Sequence, residues 1–241
     1  MRIALLLLLT AAWGCTTTTV PSQSGGGAGT ENAENGEAAE NGGATGGEGV
    51  PSSLSGQIER VGLDFTASLE VEPILLLKDG VACRCLDEDL DKGTVDDVRA
   101  KRPKAVGQWR GEGKSTETSF GNGWKKLAFT PSALALGNGW TSSAAYDRTS
   151  TVGVAGTDSF VGASKAITFE PSGSFEMVGA TGTSSSAATS RSRGTYSVKG
   201  WMMTLTFEDG TEQRVSAMTG EDEPERALWL GGAGYSRLKD E

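Results

Sequence analysis

The chain has 241 residues and a formal charge of −9, from 31 acids against 22 bases, a balance that argues against a nucleic-acid partner. It contains no histidine, which excludes Ser-His-Asp and Cys-His catalysis and every His-ligated metal site. Thirty-five glycines against seven prolines, with 7% aromatics, predict turn-rich β structure and a low-complexity stretch.

Residues 1–15 read MRIALLLLLTAAWGC. A single positive charge, Arg2, precedes an apolar run over 3–9 and a small-residue region ending at Gly14-Cys15. That is the plan of a secretory signal, and it is too short to span a bilayer. Within it, Ala12-Trp13-Gly14-Cys15 resembles the lipobox of bacterial lipoproteins, in which a small residue precedes a cysteine that becomes lipidated. The usual Leu three before the cysteine is replaced by Ala12, and Trp13 is unusual at its position. The alternative is plain secretion. The resemblance implies that 1–14 is removed and that Cys15 carries a diacylglycerol, usually with an additional N-acyl chain. One acyl chain holds a protein only marginally, whereas two or three anchor it without a membrane-spanning helix. Membrane lipid, reached through Cys15, is therefore the expected partner. Thr16 stands where an Asp would mark inner-membrane retention, so the resemblance favours the outer membrane.

Residues 21–50 hold ten Gly, five Glu and no Lys or Arg. Such a composition cannot offset its ordering entropy, so 15–51 is expected to be a lipidated terminus followed by a disordered tether. The folded domain is then 52–241. Its alternating runs at 74–77, 114–120, 166–169, 196–198, 202–207 and 228–230 are punctuated by Asp79-Gly80, Asn122-Gly123, Asn138-Gly139, Ser172-Gly173 and Asp209-Gly210. Asn-Gly and Asp-Gly between alternating runs are strong hairpin signals. One short helix is expected at 95–102, N-capped by Thr94, with acids in its first turn, bases in its last, and Pro103 as its stop.

The two halves resemble each other. Gly107-x-Trp109-x₃-Gly113-x₆-Phe120-x₂-Gly123 matches Gly194-x-Tyr196-x₃-Gly200-x₆-Phe207-x₂-Gly210 at a constant offset, and 74–80 echoes 167–173 upstream. Each copy reads as a hairpin, an insertion and a meander with a glycine turn. The fold expected is mainly β: an antiparallel barrel or two-sheet sandwich built from two similar meanders, which can close on one another. The stretch 194–210 resembles a meander of lipocalin-like domains from bacterial envelope proteins, which favours a barrel and identifies no ligand-binding residue.

Four constellations could carry chemistry. Cys83-Arg-Cys85 places both sulfurs on one strand face. Reduced buried thiols and a Cys83–Cys85 disulfide are both open, the disulfide requiring a bent or bulged strand. A zinc site would need two carboxylates besides. Asp87, Asp89 and Asp91 have the spacing that opens a Ca²⁺ loop. However, Lys92 occupies the sharp-turn glycine's place, Gly93 comes one residue late, and Val98 replaces the closing Glu. A solvated acidic loop before a helix explains them as well. Gly-Asn-Gly-Trp occurs twice, ending at Trp124 and Trp140; with Trp109, Trp201 and Trp229 these rings suit either sugar stacking or, as preferred here, a core beside hairpin turns. The segment 181–193, TGTSSSAATSRSR, reads as a variable, flexible loop. No acid pair, activated Ser or phosphate loop has a recognisable spacing.

The expectation is a non-enzymatic, lipid-anchored envelope protein with a binding or structural β domain and no catalytic residue, resident metal or cofactor. The alternatives are a lipocalin-like carrier of a small apolar ligand and a hydrolase with an unrecognised carboxylate site. A side-chain-filled interior would argue against the carrier. A buried carboxylate pair with raised pKa in a cleft would favour the hydrolase.

Overall fold

A computed structural model describes residues 52–65, 70–153, 160–183, 186–222 and 224–239. The leader, Cys15 and the Glu-rich stretch lie outside the described residues. In chain order the first half is α1 (Leu54–Gln57), β1 (Ile58–Phe65), β2 (Val71–Leu77), β3 (Val81–Cys83), α2 (Val95–Lys101), β4 (Val106–Arg110), β5 (Glu117–Ser119), β6 (Lys125–Lys126) and β7 (Phe129–Ala135). The second half is β8 (Ala145–Gly153), β9 (Phe160–Phe169), β10 (Ser174–Thr183), β11 (Ser186–Lys199), β12 (Met202–Phe207), β13 (Glu212–Gly220), β14 (Ala227–Leu230) and β15 (Ala233–Arg237).

Strands β8 to β15 close into an antiparallel barrel of eight, in the order β12-β11-β10-β9-β8-β15-β14-β13, with β13 pairing back onto β12. The end of β13 also pairs with β7, opposing Met218 to Ala135 and Gly220 to Ala133. From there the outer strands run β7-β1-β2-β3-β4-β5-β6. Because β6 and β7 follow one another directly, this outer run returns to its own start and curls around a small cluster of Ile74, Leu76 and Ala82, with Trp109, Phe120 and Leu127 packed on it. The meanders therefore do not close on one another, as the sequence suggested they could. The second forms the barrel by itself.

The run Ile74-Leu-Leu-Leu77 is apolar without interruption because β2 is buried on both faces. Ile74 and Leu76 point into the small cluster. Leu75 and Leu77 point the other way, into a layer shared with Val61, Leu90 and Val98 and with Met202, Met218 and Trp229 of the barrel. That shared layer joins the two halves. The barrel interior holds a third cluster, with Tyr146, Ile167, Phe169, Phe175, Tyr196, Met203, Leu205 and Tyr235 among its members.

Helix α2 starts and stops where capping chemistry dictates. The Thr94 hydroxyl accepts from the Asp97 N–H at 3.2 Å, while the Asp97 carboxylate accepts from the Thr94 N–H at 3.1 Å, a reciprocal capping box. Arg102, expected as the last helical residue, is instead the C-cap, its N–H reaching the Val98 carbonyl.

The internal repeat is visible atom by atom. Trp109 donates its indole N–H to the Leu77 carbonyl at 2.7 Å. Tyr196 donates its hydroxyl to the carbonyl of Glu170, the residue matching Leu77, at 3.0 Å. A Cβ built on Gly107 would overlap the Ser119 carbonyl oxygen, and one on Gly194 would overlap that of the matching Thr206. Each glycine thus lets the next strand approach where a side chain would block it. The turns before each meander match too: Gly80 at φ 73° sits beneath the Trp109 carbonyl, and Gly173 at φ 87° beneath the Tyr196 carbonyl.

Three local expectations are corrected. Asn138-Gly139, read as a hairpin signal, links β7 to β8, which pair with other strands and not with each other. Segment 181–193 is not a loop: β10 continues to Thr183, and β11 begins at Ser186 and pairs with it residue by residue. Its Ser/Thr/Ala composition reads as loop, but the ladder offered by β10 decides its backbone. The run at 114–120 is a strand only over Glu117–Ser119, because Gly113–Ser115 forms a 3₁₀ turn.

Candidate functional site

Strand β15 pairs with β8 only at Ser236–Asp147 and Arg237–Tyr146. Beyond Asp147, β8 leaves β15 behind, and a cleft of about 570 Å³ opens between the barrel wall and the start of β2. Glu70, Glu72, Asp147, Arg148, Trp229 and Tyr235 are among its lining residues. Trp229 donates its indole N–H to the Val71 carbonyl at 3.3 Å, tying the barrel to β2. Arg148 meets Glu70 across the opening at 3.3 Å. Burial pushes the Tyr235 hydroxyl above its ordinary value, against the lowering effect of Arg148. The Lys165 ammonium is held below its ordinary value by burial and, secondarily, by the Arg148 charge.

The carboxylates near this cleft form a chain rather than a catalytic pair. Asp64 lies opposite Glu72 on β1 and β2 and is 1% exposed, with Lys125 at 3.0 Å and Arg84 at 3.9 Å. Arg84 also meets Glu72 at 3.6 Å and stacks over the Phe120 ring at 4.4 Å. At the other end of the small cluster Arg60 stacks over Trp109 at 5.0 Å and donates to the Thr116 hydroxyl at 2.6 Å. Each Arg–aromatic stack closes one end of the curl, so these charges serve packing.

Among the described carboxylates, Glu72 alone has the raised pKa that the hydrolase alternative requires. Burial raises it first; Arg84 opposes the shift, and the Asp64 and Asp87 charges add to it. An acid with a raised folded-state pKa stabilises the fold fully below its unfolded value. That stability is lost as pH rises through the folded value. The denaturation midpoint of the wild type should therefore fall on going from mildly acidic to neutral pH. Glu72→Gln should flatten that slope and be no less stable than wild type at neutral pH. Chemical denaturation at several pH values checks this; an unchanged slope in the variant would remove Glu72 as its source.

The sequence-predicted candidates are placed as follows. Cys83 and Cys85 are joined by a disulfide, with Cα atoms 5.5 Å apart, and both are fully buried in the shared layer. The bend needed is supplied because β3 ends at Cys83. Asp87 is drawn to one cation, and Asp89 and Asp91 to another. Asp87 meets Arg102 at 2.7 Å, whereas Asp89 and Asp91 both meet Arg214 of β13, at 3.3 and 2.7 Å. Their loop buries Leu90 and is clamped to the barrel by Arg214. Among the described residues no group of three or more Cys, Asp or Glu side chains is placed to hold a metal ion.

The tryptophans divide. Trp140 packs on Phe169 and Tyr196, with centroids 5.3 and 5.9 Å away; Trp229 is buried, and Trp201 and Trp109 are half-buried against their clusters. Trp124 departs from the expected core role: it is 40% exposed, under the Arg110 guanidinium at 4.0 Å. Its hairpin, β5–β6, is at the end of the outer run, and the turn of that hairpin, residues 121–124, is exposed. Sequence reasoning missed Asp64, Glu72, Arg84 and the cleft. The signal available was a lone Asp inside the apolar run Val61–Phe65.

Among the described residues no helix is long and apolar enough to cross a membrane. Compared with family models, with curated proteins and with solved structures, the chain matches none.

Proposed function

We propose that this chain is an exported protein, anchored to the cell envelope by lipid on Cys15, whose β-barrel domain is a non-enzymatic binding or structural module. The observation that carries the reading is the buried Cys83–Cys85 disulfide. Disulfides of this kind belong to oxidising compartments outside the cytosol, which agrees with the signal-like leader and frees Cys15 for lipid. The barrel interior supports a module over a carrier, because aromatic and aliphatic side chains occupy it. The carrier remains the second reading because an eight-stranded closed barrel is the architecture that would enclose a small apolar ligand.

The test is acyl labelling. In a bacterial host fed a labelled fatty acid, the wild type should incorporate label and fractionate with membranes. Cys15→Ser should lose the label entirely and appear in the soluble fraction. A wild type without label, or a variant that stays on membranes, would reject the anchor. Binding of an apolar fluorescent probe, with saturable one-to-one stoichiometry, would shift the domain's role to the carrier.

A further inference from the structure

Strands β8 to β11 run past the body of the barrel. Strand β12 pairs with β11 only from Gly194 onwards, ending at Gly194–Phe207. Residues 186–193 therefore have β10 on one side and, among the described residues, no strand on the other. All eight are exposed. The outward groups can be assigned. The Tyr196 N–H donates to the Gly173 carbonyl, on the β10 side, while the Arg193 carbonyl accepts from the Glu208 N–H, on the opposite side. Strand alternation then aims the N–H and C=O of Ala187, Thr189 and Arg191 out of the edge.

Charged residues usually guard such an edge. Here both guards are folded back. Arg191 and Arg193 each meet Glu176 of β10 at 2.8 Å, which also leaves the edge close to neutral on a chain of formal charge −9. Self-repulsion between copies is therefore small at this edge. The remaining side chains are Ser, Ala and Thr. They leave no bulky obstacle and no side-chain pocket by which a foreign peptide would be selected.

We infer that the edge of residues 186–193 docks against the same edge of a second copy of this chain, antiparallel and centred on Thr189. That register sets Thr189 opposite Thr189, and Arg191 opposite Ala187 in both directions, so no two arginines face each other. The outward N–H and C=O groups of all three residues then pair, and the two four-stranded extensions become one continuous sheet. The contact is isologous and closes on itself, leaving neither copy's β11 edge free for further growth.

Sedimentation equilibrium of the full chain in mild detergent tests this. The wild type should show a concentration-dependent monomer–dimer equilibrium. Thr189→Pro removes an outward N–H from each copy without touching the β10 ladder. It should weaken association about thirtyfold, the loss of two hydrogen bonds per dimer, with an unchanged thermal midpoint. Independently, Thr189→Cys should form a crosslinked dimer on mild oxidation, since Cα atoms of a facing hydrogen-bonded pair lie about 5.5 Å apart. Thr195→Cys, on the stretch already paired with β12, should not. A wild type monomeric at every concentration overturns the inference. So does a dimer that Thr189→Pro leaves intact while Thr189→Cys fails to crosslink, or an edge occupied by an added acidic peptide rather than a second copy. Should the proline variant melt early, the cysteine pair decides.

Discussion

Tyr196→Ala should lower stability by about 3–5 kcal/mol, the usual cost of truncating a buried aromatic. The ring is 7% exposed, sits 4.8 Å from the Phe169 centroid in an edge-on arrangement, and its hydroxyl also accepts from the Ser142 N–H. Removing it leaves a cavity in the barrel and two backbone groups without their partner. Trp109→Ala should cost toward the lower end of the same range, because its ring is only half-buried and part of its role is to carry the Arg60 stack. The two rings belong to different clusters, so the double variant should equal the sum of the singles within about 0.5 kcal/mol. Urea denaturation of the four species measures this. A coupling well beyond that margin would mean that the two meanders share a core after all.

Gly194→Ala should be nearly as damaging, at about 3 kcal/mol, the upper end of overpacking penalties. The obstacle is backbone: a Cβ there meets the Thr206 carbonyl and the Phe207 Cα, and neither can move without breaking the β11–β12 ladder. Gly107→Ala meets the Ser119 carbonyl in the same way, but also the edge of the Phe120 ring, which can tilt. Its penalty should be of similar size. If either alanine variant has wild-type stability, the correspondence between the two glycines is compositional and not structural. Gly179→Ala is a fitting control, because only the Ser190 hydroxyl stands near its Cβ position and a hydroxyl can rotate away.

The repeat was legible in the sequence because its constraints are local. A glycine is required where one strand crosses close over the next, and an aromatic two residues later covers the turn of the preceding hairpin. Both requirements recur at fixed spacing in the two halves. Helix α2 was legible for the same reason, since Thr94, Asp97 and Pro103 act within one or two turns of one another. The polar hairpin of β10 and β11 was not legible. Residues 181–193 carry no apolar alternation, and only the neighbouring backbone makes them strand. Trp124 was misjudged because an aromatic beside a glycine turn covers a core only when another element lies beneath it.

The cluster of Asp64, Glu72, Arg84 and Lys125 was likewise hidden, because its members come from strands β1, β2 and β6 and from the segment after β3. Nothing in their spacing brings them together. The cleft between β2 and β8 arises from a mismatch in length between β8 and β15, a property of pairing and not of composition.

By itself the sequence determined the class of fold, four of the five hairpin turns, the single capped helix and the two-fold repetition, because propensity, capping and strand crossing act over a few residues. Only the tertiary structure decided that the second meander closes alone into a barrel of eight, that the first curls beside it, and that one apolar layer joins them. It also left the edge of β11 without a partner among the described residues. Those outcomes depend on which strand edges meet, and edge pairing is settled by contacts between residues far apart in the chain.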